Sequence, residues 1–152
     1  MPVRLQPETA AIIQEEASAV AAQAQREPVR QHYGRLAEAA AEGTVPDDLL
    51  PALGELLHLV LASGRIAARY GPREEQALGE VYRRTPPGRR LEEQLAQVNG
   101  ACQGLEGLPL EALRLTAAGP GRYRLAVEAG GRRLVLDLGP GGAAVRSLEL
   151  AL

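Results

Sequence analysis

The chain offers few side chains that could carry out catalysis. It contains two His, three Ser, one Cys and no Lys. Ser63 precedes Gly64 at what reads as a helix end, and it lies outside any Gly-x-Ser-x-Gly turn of the kind that exposes a hydrolase nucleophile. Cys102 shares a helical stripe with Val98 and Leu105, which predicts that it packs in the core as a small apolar residue. The sequence therefore predicts no catalytic residue.

One motif has the spacing of a metal-binding helix. Glu55 and His58 form a Glu-x-x-His pair, which di-iron helical bundles use twice, together with two further glutamates. The second pair is missing, because Val29 stands three residues before His32, the other histidine. The Gly-rich stretches do not match a P-loop, which ends in Lys and Ser or Thr at the start of a helix. We therefore expect no bound metal and no cofactor.

The most basic part of the sequence flanks Thr85-Pro86-Pro87-Gly88, and its members are Arg83, Arg84, Arg89 and Arg90. Arginines beside the start of a helix can hold a phosphate group, a nucleic acid or an acidic partner. Against this function, the two prolines lack the backbone N–H groups that such a site uses, and two glutamates follow at 92–93. A solvated junction between helices is the favoured interpretation, and anion or nucleic-acid binding is the alternative.

Composition and charge exclude several classes of protein. Hydrophobic residues make up 45% and charged residues 24% of the 152 residues, as in ordinary globular proteins. The formal net charge is −2, so the whole molecule has no field that attracts nucleic acid or anionic lipid. The most hydrophobic window, 49–62, is too short to span a bilayer, and a single Cys fits a reducing compartment. These features predict a cytoplasmic protein with no membrane partner.

The first two thirds of the chain have the periodicity of amphipathic helices. An Ala-rich first segment repeats apolar residues at steps of three and four, and Pro28 interrupts it, which predicts a first helix kinked there. Its apolar face comprises Ile13, Ala17, Val20 and Ala24. The strongest buried stripe is Leu49, Leu53, Leu56, Leu57 and Val60, and the last helix repeats Leu91, Leu95, Val98, Cys102 and Leu105. About four helices are expected within residues 1–106.

After Gly107 the apolar period changes to two, which indicates four strands separated by Gly-rich turns. A two-residue loop at 130–131 sets Val127 opposite Leu134 and also matches opposite charges, as in Arg124 with Asp137. A three-residue loop at 119–121 and a five-residue connection at 139–143 extend this register to the outer strands. These loops predict the pairs Leu115–Leu125, Leu148–Leu134 and Glu149–Arg133. The result is an antiparallel β-meander with one apolar face.

The other face of the predicted sheet is charged. It carries Arg114, Arg122, Arg124 and Arg133 together with Glu128, Asp137 and Glu149. Interleaved charges of both signs predict a solvated face and not a stripe that tracks a phosphate backbone. The face also lacks the aromatic side chains on which single-strand binders stack bases.

The predicted fold class is α+β, with N-terminal helices followed by a four-stranded antiparallel β-meander that packs on the last helix. We expect a single domain over residues 1–152, with a helical part at 1–106 and a β-meander part at 110–152. Because no catalytic constellation is found, the sequence predicts a non-enzymatic interaction or structural protein.

Self-association is expected to use the Ala-rich first helix, whose apolar face at 13, 17, 20 and 24 can pair with its copy in a homodimer or with another protein's helix. Two alternatives stay open. One is nucleic-acid or phosphate-ligand binding through the four arginines around 85–88. The other is a small enzyme whose site is assembled from Tyr and Arg side chains that are distant in sequence.

Overall fold

The computed structural model describes residues 1–150, and within them it confirms the α+β class. The elements are β1 (Val3–Arg4), α1 (Pro7–Gln23), α2 (Glu27–Ala41), β2 (Thr44–Val45), a 3₁₀ turn (Asp47–Leu49), α3 (Leu50–Ala62), α4 (Arg65–Tyr70), α5 (Pro72–Arg83), α6 (Pro86–Gln103), β3 (Leu110–Gly119), β4 (Arg122–Ala129), β5 (Arg132–Gly139) and β6 (Gly142–Leu150). Their contacts form two compact units, Met1–Arg89 and Arg90–Leu152. The division falls inside α6, so most of this helix belongs with the sheet.

The segment predicted as one kinked helix is divided into two helices, α1 and α2. Pro28 is the second residue of α2, where a missing N–H is tolerated because the first turn has no carbonyl partner for it. The chain turns back over the three residues between the helices. Ala10 near the start of α1 and Ala40 near the end of α2 line one surface depression, so the two helices run antiparallel.

The core of the first unit is built around α3. The five residues of the predicted stripe, from Leu49 to Val60, are all buried. The surrounding helices add Ile13, Leu36, Ile66 and Leu78, each almost completely enclosed. The sequence pattern therefore identified the central helix of this unit correctly.

The described residues contain six α-helices where about four were expected, because the first segment divides into α1 and α2 and because Gly64 separates α4 from α3. Gly64 has φ +72° and Gly71 has φ +108°, a region of backbone conformation that L side chains rarely adopt. Each glycine ends one helix and lets the next start in a new direction, which isolates the short α4 between α3 and α5.

The second unit contains the predicted meander, with strand order β3-β4-β5-β6. The register between β4 and β5 is the predicted one, with Val127 opposite Leu134 and Arg124 opposite Asp137. The three predicted pairs with the outer strands, Leu115–Leu125, Leu148–Leu134 and Glu149–Arg133, are also present. The strand register that was predicted by matching side chains across the strands is therefore confirmed for these pairs.

The predicted loops differ from the observed turns at one end of the sheet. The chain turns tightly at Pro120-Gly121 and at Pro140-Gly141, and each hairpin contains a β-bulge close to its turn. The extra residues are Ala118 in β3 and Arg146 in β6. A two-residue turn plus a one-residue bulge gives the same residue pairs beyond the bulge as a longer loop does. Between the turn and the bulge, however, side chains move to the opposite face of the sheet.

Helix α6 packs on the apolar face of the sheet, as predicted. Val98 is buried against Leu134 and Leu136, and Ala101 and Leu105 are partly buried beside them. Cys102 and Leu95, which were expected on the same seam, are exposed. The prediction that Cys102 packs in the core is therefore wrong, because the helix contacts the sheet along a narrower stripe than its apolar spacing indicated.

Candidate functional site

The residues predicted to form an interface on the first helix lie mostly inside the first unit. Ile13 and Ala17 are buried in its core, and Val20 is partly buried against that core. Ala24 is the C-terminal cap residue of α1 and is half-buried. A partner of the folded unit would therefore find little of this face exposed, and the interface through α1 stays a prediction.

The predicted arginine cluster surrounds a tightly packed turn. Thr85 is fully buried, and its hydroxyl donates a hydrogen bond to the Tyr82 carbonyl at 2.6 Å. The Gly88 amide donates to the same hydroxyl at 3.4 Å, and the two prolines between them have no amide hydrogen. The start of α6 therefore has no free amide to offer an anion at 86–88.

The arginines around this turn are exposed on both of its sides. Arg83 and Arg84 end α5, Arg89 lies in the first turns of α6, and Arg90 begins the second unit. Any anion held here would depend on these flexible side chains alone, without the backbone contacts that make helix starts effective phosphate sites.

Chemistry-bearing side chains of the first unit meet at exposed positions, as His58 does with Tyr82 and Tyr70 does with Glu15. His58 Nδ1 and the Tyr82 hydroxyl lie 3.3 Å apart. Burial and the neighbouring Glu55 carboxylate together raise the pKa of Tyr33. Among the described residues, no group of three or more His, Cys, Asp or Glu side chains could hold a metal ion.

The apolar face of the sheet is covered only in its middle. Leu113 and Leu115 of β3 share this face with the covered residues of β4, yet they are 61% and 60% exposed. Leu110 and Tyr123 are exposed beside them. We call these four residues the β3 strip. A helix is about 10 Å across, whereas the outer backbones of four strands are about 14 Å apart, so α6 alone is too narrow to cover the face.

The charged face of the sheet is polarised along its strands. At the turn end, Arg124 Nε donates to Asp137 Oδ1 at 3.1 Å and Arg146 Nη1 donates to Asp137 Oδ2 at 3.3 Å. The hydrogen bond from Arg124 has the largest effect, and together with that from Arg146 it holds the pKa of Asp137 below its usual range. At the other end Arg133 lies 3.7 Å from Glu128 and opposite Glu149. The face is basic at one end and acidic at the other.

The basic end borders a cleft of about 530 Å³ beside the turn at Gly139-Pro140-Gly141. Its charged lining residues are Arg122, Arg124, Arg146 and Asp137. Three of these side chains were predicted on the charged face from the sequence, whereas Arg146 was not. The simple register puts Arg146 opposite Leu136 on the apolar face, and the bulge at Arg146 moves it to the charged one. We call this region the turn-end cleft.

Within residues 1–150, no helix combines the length and the hydrophobicity that a membrane crossing requires. Comparisons of the chain with protein-family models, with curated proteins and with solved structures find no match. The β3 strip and the turn-end cleft are therefore the two surfaces that bear on function.

Proposed function

We propose that this chain is a non-enzymatic interaction protein that associates with a second copy of itself through β3. The observation that carries the proposal is the β3 strip, an exposed apolar surface of which Leu110, Leu113 and Leu115 lie on an unpaired edge strand of the sheet. A long, apolar edge strand promotes aggregation unless something covers it. A dimer with a twofold axis covers the strand in both copies at once, and it leaves no copy of the edge free for further association.

The edge of β3 is suited to pairing with another strand. It is hydrogen-bonded to β4 on one side only, and it runs as a regular strand over 112–117, between bulges at Glu111 and Ala118. Such an edge has a row of backbone N–H and C=O groups without strand partners. A second β3, added antiparallel, would satisfy these groups and extend the four strands to a continuous eight-stranded sheet.

The side chains of β3 favour one self-pairing register. With Leu115 opposite its copy, Leu113 faces Ala117 on the apolar side and Arg114 faces Thr116 on the charged side. The neighbouring register, centred on Arg114, sets two arginines directly opposite each other, which destabilises a strand pair. In the favoured register the two β3 strips adjoin on one face, so that each covers part of the other.

This proposal moves the predicted self-association from the first helix to the sheet. The apolar side chains of α1 are largely used by the first unit, whereas those of β3 are available. The thiol of Cys102 is exposed, which suits a reducing compartment, and the proposal therefore keeps the protein in the cytoplasm.

Replacing Leu115 by Glu tests this interface. The variant would set two carboxylates opposite each other at the centre of the dimer, and we expect dimer affinity to fall about 30-fold or more, the loss typical of a central interface residue. Sedimentation equilibrium over a range of concentrations measures the change. Leu59→Glu is the matched control, because Leu59 is 63% exposed on α3, against 60% for Leu115, and should leave the affinity unchanged.

Two results would overturn the proposal. In one, the wild-type protein sediments as a monomer at every concentration. A lowered melting temperature for Leu115→Glu would then indicate that another part of the same chain covers the strip. In the other, the wild-type dimer persists in Leu115→Glu with unchanged affinity, which would place the contact elsewhere.

A further inference from the structure

We propose that the turn-end cleft binds the phosphate group of a small phosphorylated molecule. This activity goes beyond self-association and does not depend on it. Three features of the cleft support the proposal: its charge, the way its arginines are held and its size.

The cleft contains more positive charge than it neutralises. Three guanidinium groups face a single carboxylate, Asp137, which leaves two positive charges in excess. The protein as a whole carries a formal charge of −2, so this excess is local and does not follow from composition. A phosphate monoester with two negative charges would balance it.

Asp137 holds two of the three arginines in place. Arg124 and Arg146 approach it from neighbouring strands on either side, and each donates one hydrogen bond to a different carboxylate oxygen. A guanidinium group has five N–H donors, so most donors of both groups remain available. Side chains already held in position lose less conformational entropy when a ligand binds.

Arg122 supplies a positive charge that no carboxylate within residues 1–150 neutralises. Within residues 1–150 its guanidinium group makes no hydrogen bond or ion pair, although it lines the same cleft. Three arginines around one space suit a tetrahedral oxyanion, because guanidinium groups bind phosphate oxygens in pairs of parallel hydrogen bonds.

The size of the cleft favours a small molecule over a polymer. Its volume of about 530 Å³ lies within the range of small-ligand sites. The charged face continues from the cleft toward Glu128 and Glu149, which would repel an extended phosphate backbone running along the strands.

Titration calorimetry with inorganic pyrophosphate at low salt tests the proposal. We expect measurable binding to the wild type and an affinity lowered about 10-fold or more for Arg122→Gln, because a charge-assisted hydrogen bond is lost. Arg114→Gln is the matched control: it removes the same charge from the same face of the sheet, but Arg114 lies outside the cleft. Its affinity should equal that of the wild type. Thermal melts should show both variants folded, because neither arginine makes an ion pair within residues 1–150.

Three results would overturn the proposal. Pyrophosphate fails to bind the wild type, or Arg114→Gln weakens binding as much as Arg122→Gln, which would indicate attraction by overall charge only. The third is binding of a short single-stranded DNA without binding of pyrophosphate, which would assign the basic end to nucleic acid.

Discussion

Replacing Gly88 by Ala is expected to destabilise the first unit by about 3–5 kcal/mol, the upper range for a single substitution in a packed region. A β-carbon at Gly88 would lie 1.8 Å from the Tyr82 carbonyl oxygen and 2.8 Å from the Arg83 Cα. Both atoms belong to the backbone, so no side chain can rotate away to relieve the contact. The turn held by Thr85 would have to open, and urea denaturation would measure the loss.

Gly79→Ala provides the matched control for this prediction. Gly79 is also helical, on α5, and a β-carbon there would meet nothing within 4 Å. Alanine should stabilise the helix by about 0.5–1 kcal/mol, because glycine loses more backbone freedom on folding. Equal stability changes for the two variants would contradict the described packing of the turn between α5 and α6.

Arg65→Met is expected to destabilise the protein by about 3 kcal/mol, since it leaves a buried carboxylate without its main partner. Arg65 Nη2 donates to both oxygens of Glu16, at 3.0 and 2.8 Å, and links α4 to α1. The Glu16 side chain is only 4% exposed, and the next guanidinium, that of Arg69, lies 3.9 Å away. Thermal or urea denaturation at neutral pH measures the effect.

The control for this ion pair is Arg30→Met. Arg30 is 53% exposed, much like Arg65 at 51%, but its partner Glu27 is 61% exposed. Loss of an exposed pair should cost about 0.5 kcal/mol or less. In the double variant Glu16→Leu/Arg65→Met, where no charge is left buried, much of the lost stability should return. If the two arginine variants behave alike, burial of Glu16 does not govern the stability of this contact.

The sequence predicted the sheet well because cross-strand pairs constrain one another. A shift of one residue between β4 and β5 would have put either Arg124 or Asp137 on the apolar face, so alternation and charge together left a single register. The same reasoning missed the bulge at Arg146, because a longer loop and a bulged tight turn give identical pairs at Leu134 and beyond. The turn-end cleft depends on that bulge and was therefore invisible in the sequence.

Helical periodicity showed which apolar residues share one face of a helix but not what covers that face. Ile13 and Ala17 have the spacing expected of either a core or an interface, and the structure buries both in the first unit. Conversely, Leu113 and Leu115 alternate as a covered strand does, yet α6 is too narrow to reach them. The extent of coverage depends on the width and placement of packed elements, which no local pattern records.

Disulfide cross-linking of Leu115→Cys in a Cys102→Ser background tests self-association through β3 most directly. Residues directly opposite in an antiparallel pair have Cα atoms about 4.5–5.5 Å apart, which suits a disulfide. We predict rapid formation of a covalent dimer under mild oxidation. Leu113→Cys in the same background should cross-link poorly, because the two copies of residue 113 would lie about 13 Å apart along the strands. If Leu115→Cys forms no more dimer than Leu59→Cys, the proposed interface is wrong.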